Sequence, residues 1–199
     1  TLHRFFVDES SVKRNFVEIT GDDYKHLSKS LRLKKGDKII ACTGDGQDLH
    51  VKLEKFFDDK VRGKIVERKK TKTEANHNIT IAQAIPKNRN IELIIQKATE
   101  IGVNKIFALD TKRTIVKLSN KKEKKRLARW QRIAEEAAKQ SQRGIIPKID
   151  GVYSLSNLKN IQENYDLVLV LWASENKGSL SELIKTNNIN RDNKNILVV

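Results

Sequence analysis

A change of pattern near residue 78 constrains the fold of this chain more than any other feature. From Ile79 onward, apolar runs of strand length alternate with longer segments whose apolar residues recur every three or four positions. That alternation is typical of a parallel sheet, because parallel strands need a crossover connection and a helix usually supplies it. We therefore predict an α/β domain over residues 79–199.

Five strands and two helices are predicted in this domain. The helix at about 89–101 places Ile91, Ile95 and Ala98 on one side and stops at Gly102. The helix at about 120–142 carries Trp130 on its apolar face. In open parallel sheets, ligands bind beyond the carboxyl ends of the strands, so the loops after the strands are the candidate site. The predicted strands are 79–85, 105–110, 148–152, 166–172 and 195–199.

The first 66 residues predict a small, mainly β, barrel-like module with one helix beginning near Asp22 or Asp23. Gly44-Asp45-Gly46 is a strong turn signal. Residues 67–78 contain almost nothing that could enter a core, so they predict a linker. The predicted division is a first domain at 1–70, a linker at 71–78 and a second domain at 79–199. The predicted strands of the module are 5–7, 16–19, 38–42, 49–56 and 61–66.

Positive charge is the main indication of a partner. The chain has 40 Lys and Arg against 25 Asp and Glu, a formal net charge of +15. Residues 112–143 hold 12 of these cations against 3 Glu. Four of them, Lys121, Lys122, Lys124 and Lys125, open a helix whose dipole disfavours cations there, a mismatch that an external polyanion would relieve. We predict RNA contact, although a solvated lysine-rich face is the alternative.

A second basic and aromatic cluster lies near the amino end. It comprises the string His3-Arg4-Phe5-Phe6 together with His26 and Arg32 on the first helix. Aromatic and Arg side chains stack on unpaired bases, which is how single-stranded RNA is commonly recognised. The alternative is that at least one of the two phenylalanines belongs to the core.

Several other classes of function are disfavoured. Dinucleotide, P-loop, zinc-protease and Gly-x-Ser-x-Gly motifs are absent. The four histidines show no metal-ligand spacing, so no metal is expected. The longest apolar run, at 167–173, is too short to span a membrane, so no membrane partner is expected. The single cysteine, Cys42, is compatible with a cytoplasmic location.

Ordered motifs along the whole chain resemble the 16S ribosomal RNA uridine-N3 methyltransferase family (RsmE). The strings nearer the amino end are His3-Arg4-Phe5-Phe6-Val7, His26-Leu27 to Leu31-Arg32, Gly36-Asp37, Asp45-Gly46, and Ala84 with Lys87. Those that follow are Ile95 to Val103, a box at 111–117 similar to Thr-Glu-Arg-Ser-x-x-Lys, Arg129-Trp130, Glu136 to Arg143, and Pro147. Lys112 and Thr114 depart from that box, where the family usually has Glu and Ser.

The resemblance implies a PUA-like RNA-binding barrel followed by a SPOUT domain with a deep trefoil knot, acting as a homodimer. It implies S-adenosylmethionine as the methyl donor and 16S ribosomal RNA, or the small ribosomal subunit, as the partner. It also implies a Gly-Pro-Glu-Gly-Gly loop directly after the strand at 195–199, and a Leu-Arg-x-Glu-Thr segment further on. Neither is among the 199 residues, so we expect the knot segment to be missing and the chain by itself to be inactive.

The reaction assigns roles to particular residues. Uridine N3 must lose a proton, and the negative charge that develops on the uracil oxygens favours cationic donors near the strand ends. The predicted catalytic residues are Arg113, Arg143 and Glu175. The predicted cofactor-binding residues are Leu171, Trp172, Ala173, Glu175 and Val199. The predicted RNA-binding residues are Arg4, Arg32, Lys87, Lys117, Lys121, Lys122, Lys124, Lys125 and Arg129.

Two other functions stay open at this point. The chain could be a non-enzymatic RNA-binding or ribosome-assembly factor, which S-adenosylmethionine binding would distinguish from the enzyme. It could also be a DNA-binding regulator, although no helix-turn-helix string is present. Preference for folded ribosomal RNA over duplex DNA at fixed salt would separate that case.

Overall fold

The computed structural model describes residues 2–86, 90–111, 120–171, 179–186 and 194–199, without the side chains of residues 120 and 121. The chain divides into two compact units. The first unit comprises Thr1–Glu74 and Lys139–Ile146, and the second comprises Ala75–Ala138 and Pro147–Val199. Lys139–Ile146 therefore belongs to the first unit, although the sequence pattern places it in the second domain.

The first unit is built on a curled five-stranded sheet in the order β1-β3-β4-β5-β2. Only β1 and β3 pair in parallel, and the remaining pairs are antiparallel. Alternate residues of β4, namely Leu49, Val51 and Leu53, enter the core because successive side chains of a strand point to opposite faces. The strands are β1 Arg4–Phe6, β2 Phe16–Thr20, β3 Lys38–Cys42, β4 Gln47–Phe56 and β5 Lys60–Lys70.

One helical segment interrupts this sheet. Helix α1, Gly21–Lys25, continues into a π-helical turn at His26–Ser30, and Leu27 is fully buried against the sheet. The predicted turn at Gly44-Asp45-Gly46 joins β3 to β4, and both glycines have positive φ, 84° and 89°. Glycine suits this turn because it has no Cβ to oppose the left-handed region.

The second unit contains a five-stranded sheet in which every pair is parallel, in the order β8-β7-β6-β10-β9. Its first strand is central, the next two strands extend to one side, and the last two lie on the other. This reversal of strand order marks a switch point of the kind where α/β sheets bind ligands. The strands are β6 Asn78–Ala84, β7 Lys105–Asp110, β8 Lys148–Ser154, β9 Leu167–Leu169 and β10 Asn195–Val198.

Helices cover both faces of the parallel sheet. Along β7, Ile106 and Ala108 pack in the cluster that includes Trp130, while Phe107 and Leu109 pack on the opposite face with Leu158. The first cluster belongs to α2 and α3, and the second to α4. The helices of this unit are α2 Asn90–Glu100, α3 Asn120–Gln140, α4 Leu155–Ile161 and α5 Leu180–Thr186.

The linker prediction needs correction. Residues 67–70 continue β5, because their backbone pairs with Gln47–His50 even though their side chains are polar. Thr71 is buried and donates a hydrogen bond from Oγ1 to Asp48 Oδ1 at 2.6 Å. Further on, Glu74 holds the loop after α3 by its carboxylate. The polar residues of this stretch therefore belong to the hydrogen-bonded structure of the first unit and do not form a free linker.

Candidate RNA and cofactor site

The carboxyl edge of the parallel sheet brings two predicted cofactor residues together. The Val199 amide donates to the Leu169 carbonyl at 2.8 Å, and the Leu171 amide donates to the Val199 carbonyl at 2.9 Å. These bonds continue the β9–β10 ladder past the strands. Leu171 is 68% exposed and Val170 is 67% exposed. The edge therefore offers an exposed apolar surface beside an ordered backbone.

Several predicted site residues lie outside the described residues. Arg113 and Glu175 of the catalytic set are among them, and so are Trp172 and Ala173 of the cofactor set. Lys87 and Lys117 of the RNA set lie outside as well, and only the backbone of Lys121 is described. The roles of all these residues stay predictions.

Arg143 is anchored inside the first unit. Its side chain is 3% exposed and that of Glu74 is 10% exposed, and Arg143 Nη2 donates to Glu74 Oε2 at 2.6 Å. Glu74 Oε1 also accepts from the backbone amides of Gly144 and Ile145 at 2.8 and 3.1 Å. A Cβ at Gly144 would lie 2.1 Å from Thr71 Oγ1, so the loop approaches too closely for any residue but glycine. These contacts give Arg143 a structural role in this loop, and its predicted catalytic role stays a prediction.

The basic helix α3 displays the cations that the sequence assigns to RNA. Lys122, Lys124 and Lys125 are exposed. Arg129, also exposed, donates to Glu92 of α2 at 2.8 Å, which offsets part of its charge. The lysines of the first turns thus form a surface that phosphates can reach, and this group is called the lysine cluster below.

Arg4 and Arg32 differ in their surroundings. The Arg4 guanidinium donates to both Asp48 oxygens, at 2.6 and 2.9 Å, and its side chain is 7% exposed. That burial does not support the predicted direct contact with RNA. Arg32 is exposed and has a φ of 53°, two positions after the last residue of the π-helical turn. Its side chain is accessible to RNA, and the contact stays a prediction.

Burial and the Arg4–Asp48 pair together determine the pKa values of Asp48 and Cys42. Burial alone would raise the pKa of Asp48, but hydrogen bonds from Arg4 and Thr71 outweigh it and lower that pKa. Burial raises the pKa of the Cys42 thiol to about 11. This thiol is therefore protonated at neutral pH and unsuited to nucleophilic chemistry.

The sequence pattern identified Arg4 and Arg143 but neither of their carboxylate partners. Glu74 stands in a polar stretch, and Asp48 alternates with apolar residues in β4. The one sequence signal that could have identified a carboxylate partner is an acidic residue at a core-facing position of a strand, and only Asp48 shows it.

Within the described ranges, no group of three His, Cys, Asp or Glu side chains is arranged to hold a metal ion. Among the described helices, none has the length and apolar character needed to cross a bilayer.

Comparison with known proteins assigns a class to each unit. An RNA methyltransferase domain model matches residues 73–199, and an RNA methyltransferase PUA domain model matches residues 19–66. These two matches, one on the all-parallel sheet and one on the curled β unit, define an RNA methyltransferase with an attached PUA domain. The fold prediction of a PUA-like domain followed by an α/β methyltransferase domain is confirmed at this level.

The relatives narrow the class further. Ribosomal RNA small subunit methyltransferase E of Bacillus subtilis is 35% identical over 179 residues, covering 88% of this chain and 70% of the relative. Its namesake in Mesomycoplasma hyopneumoniae is 34% identical over 169 residues, covering 85% and 70%. The chain belongs to the ribosomal RNA small subunit methyltransferase E family.

A solved structure supports the same fold. The Neisseria gonorrhoeae ribosomal RNA small subunit methyltransferase E, bound to S-adenosyl methionine, has a TM-score of 0.80 at 23% identity. The alignment covers all of this chain and 78% of that one.

Proposed function

We propose that this protein transfers a methyl group from S-adenosylmethionine to N3 of a uridine in 16S ribosomal RNA of the small subunit. The observation that carries the proposal is the hydrogen-bonded backbone of Leu171 and Val199, beside exposed apolar residues at the carboxyl ends of β9 and β10, in a chain of this family. The names of the relatives support the RNA substrate. The ligand of the Neisseria gonorrhoeae structure supports the cofactor.

The residues at this edge offer contacts of the kind that an adenosyl group needs. Exposed Val170 and Leu171 offer apolar contact, and the ordered backbone at Val199 lies beside them. Binding sites for such ligands combine an apolar lining with a few fixed polar groups. When bound, S-adenosylmethionine supplies an electrophilic methyl group on a sulfonium. Leu171, Trp172, Ala173, Glu175 and Val199 are the residues proposed to hold it.

The chemistry requires a cation near the uracil and a path for its proton. Arg113 is proposed to stabilise the negative charge that develops on the uracil oxygens, as preorganised donors do in other enzymes. Glu175 is proposed to accept the N3 proton or to contact the cofactor. Arg143 is not part of this proposal, because Glu74 holds its guanidinium inside the first unit.

The lysine cluster is proposed to bind the phosphates of the substrate. Its three described members are exposed, and they lie where the helix dipole is already positive. An RNA backbone would relieve that accumulation of charge and release its own counterions. Arg32, Lys87, Lys117, Lys121 and Arg129 are proposed as further contacts.

We also propose the finer architecture that the family resemblance implies. The second unit would be a SPOUT domain with a trefoil knot, and the protein would act as a homodimer in the cytoplasm. The all-parallel order β8-β7-β6-β10-β9 is compatible with such a domain. Sedimentation of the purified protein at micromolar concentration tests the dimer.

Transfer of label tests the proposed reaction. The full-length protein is incubated with small ribosomal subunits and S-adenosylmethionine carrying a tritiated methyl group, and the RNA is digested to nucleosides. We expect the label in 3-methyluridine. Label in another nucleoside would contradict the proposed position. RNA binding without saturable S-adenosylmethionine binding would favour an assembly factor over an enzyme.

Arg113→Ala provides the variant test of the same reaction. Loss of a charge-stabilising donor typically lowers turnover by about a hundredfold or more. Arg132→Ala, at an exposed position of α3, is the matched control and is expected to leave turnover unchanged. Equal turnover in the two variants would remove Arg113 from the catalytic set.

A further inference from the structure

A concave site lies wholly within the first unit. It has a volume of about 480 Å³ and is lined by three segments of that unit. The N-terminal segment contributes His3, Arg4 and Phe5. The first helical segment contributes Asp23, His26 and Leu31, and the carboxyl end of α3 with the loop after it contributes Lys139, Gln140 and Gln142.

The charges around this cavity are already paired. Arg4 is neutralised by Asp48 at 2.6 Å, and Lys139 lies 3.4 Å from Asp23. A cavity made for a free phosphate would present unpaired cations. Its remaining polar groups are imidazoles and amides, which suits a neutral ligand with both donors and acceptors.

The aromatic side chains of the cavity favour a ligand that contains a flat ring. The exposed His26 ring lies 6.2 Å from the buried Phe5 ring, with 57° between the planes. Unpaired bases stack on histidine and on other aromatic side chains, and hydrogen bonds then reach the edges of the base. Leu31 adds an apolar wall.

The two glutamines supply groups for the edge of a base. Gln140 and Gln142 are exposed, and within the described part of the chain neither side-chain amide has a hydrogen-bond partner. Gln142 has a φ of 56°, a conformation that glycine would adopt at less cost. A glutamine amide both donates and accepts, as pairing with a base edge requires.

We infer that this cavity binds one unpaired nucleotide of the RNA substrate by its base, away from the nucleotide that is methylated. The inference rests on the proposed RNA substrate. His26 provides the stacking surface, and Gln140 and Gln142 provide the edge contacts. The first unit would thereby recognise a base as well as the backbone.

The test separates base contact from phosphate contact. Binding of hexaadenylate, hexauridylate, hexacytidylate and an abasic hexamer of equal charge to the full-length protein is measured by fluorescence anisotropy at one salt concentration. We expect at least one base-bearing strand to bind more tightly than the abasic strand. His26→Ala should reduce that advantage by roughly fivefold to a hundredfold, the usual range for a stacked base. Gln140→Ala should also reduce it, because it removes a hydrogen-bonding contact to the edge of the base.

Two variants serve as controls. His26→Phe keeps a ring and should retain most of the advantage, while Gln162→Ala, an exposed glutamine of the second unit, should change nothing. If the alanine variants weaken the abasic strand equally, or leave every strand unchanged, the nucleotide site is overturned while the methyl-transfer proposal stands. If the unmodified protein binds no strand and no ribosomal RNA, the proposed function fails as well.

Discussion

Two arginines of the first unit act through carboxylates that the sequence does not place beside them. Arg143 and Glu74 are 69 positions apart, and Arg4 and Asp48 are 44 apart. Each guanidinium is nearly inaccessible to solvent. A buried charge must be paired, so these contacts hold the segment after α3 and the amino end in place.

Arg143→Ala should destabilise the protein, because it leaves Glu74 buried without its cation. Loss of one partner of a buried pair costs about 3–5 kcal/mol. Arg129→Ala breaks the exposed pair with Glu92 and should cost about 0–1 kcal/mol. Denaturant unfolding of both variants measures the difference. Unchanged stability of Arg143→Ala together with lost methyl transfer would restore the catalytic assignment.

The lowered pKa of Asp48 leads us to expect that the protein loses stability in acid. Its pKa in the fold is lowered from the ordinary value of 3.8, so folding favours the ionised form. This contribution is fully present at pH values above the ordinary pKa. It is lost as the pH falls through the lower pKa of the folded state. The stability of Asp48→Asn should therefore depend less steeply on pH below the ordinary value of 3.8. Parallel curves for the two proteins would show that Asp48 does not contribute.

At the scale of elements, the spacing of apolar residues predicted the main strands and helices, because that spacing follows which side chains are buried. Strand β7 and helix α2 lie within a residue or so of their predicted bounds, since Phe107, Leu109, Ile91 and Ile95 are core residues with clear periods. Helix α4 was missed, although Ser154 and Asn157 form a capping box that the sequence contains. The helix is too short for its apolar residues to show a clear helical period.

The lysine cluster leads to a prediction about salt. Replacing Lys124 and Lys125 by Gln should weaken binding to ribosomal RNA and lower the slope of log affinity against log salt by about 0.7–0.9 for each phosphate that the protein no longer neutralises. Lys159→Gln with Lys185→Gln removes the same charge from exposed sites of the second unit, on α4 and α5, and should change the slope little. Equal slopes for the two double variants would assign the cluster to solubility.

At the scale of the whole molecule, composition and motif order indicated the class of protein, while contacts distant in sequence were hidden. The net charge of +15 predicted a polyanionic partner, and the ordered motifs predicted the family. The return of Lys139–Ile146 to the first unit was not predictable, because it depends on Glu74 and on the close approach of Gly144 to Thr71. The spacing of residues along the sequence does not show which distant residues come into contact.

The central claim is that this protein methylates N3 of one uridine in 16S ribosomal RNA, and reverse transcription tests it most directly. A methyl group on N3 removes the donor used in Watson–Crick pairing, so a reverse transcriptase stops beside the modified base. Ribosomal RNA from cells with the gene, without it and with it restored is compared. We predict a single stop at a uridine that disappears without the gene and returns with it. An identical pattern of stops in all three samples would contradict the claim.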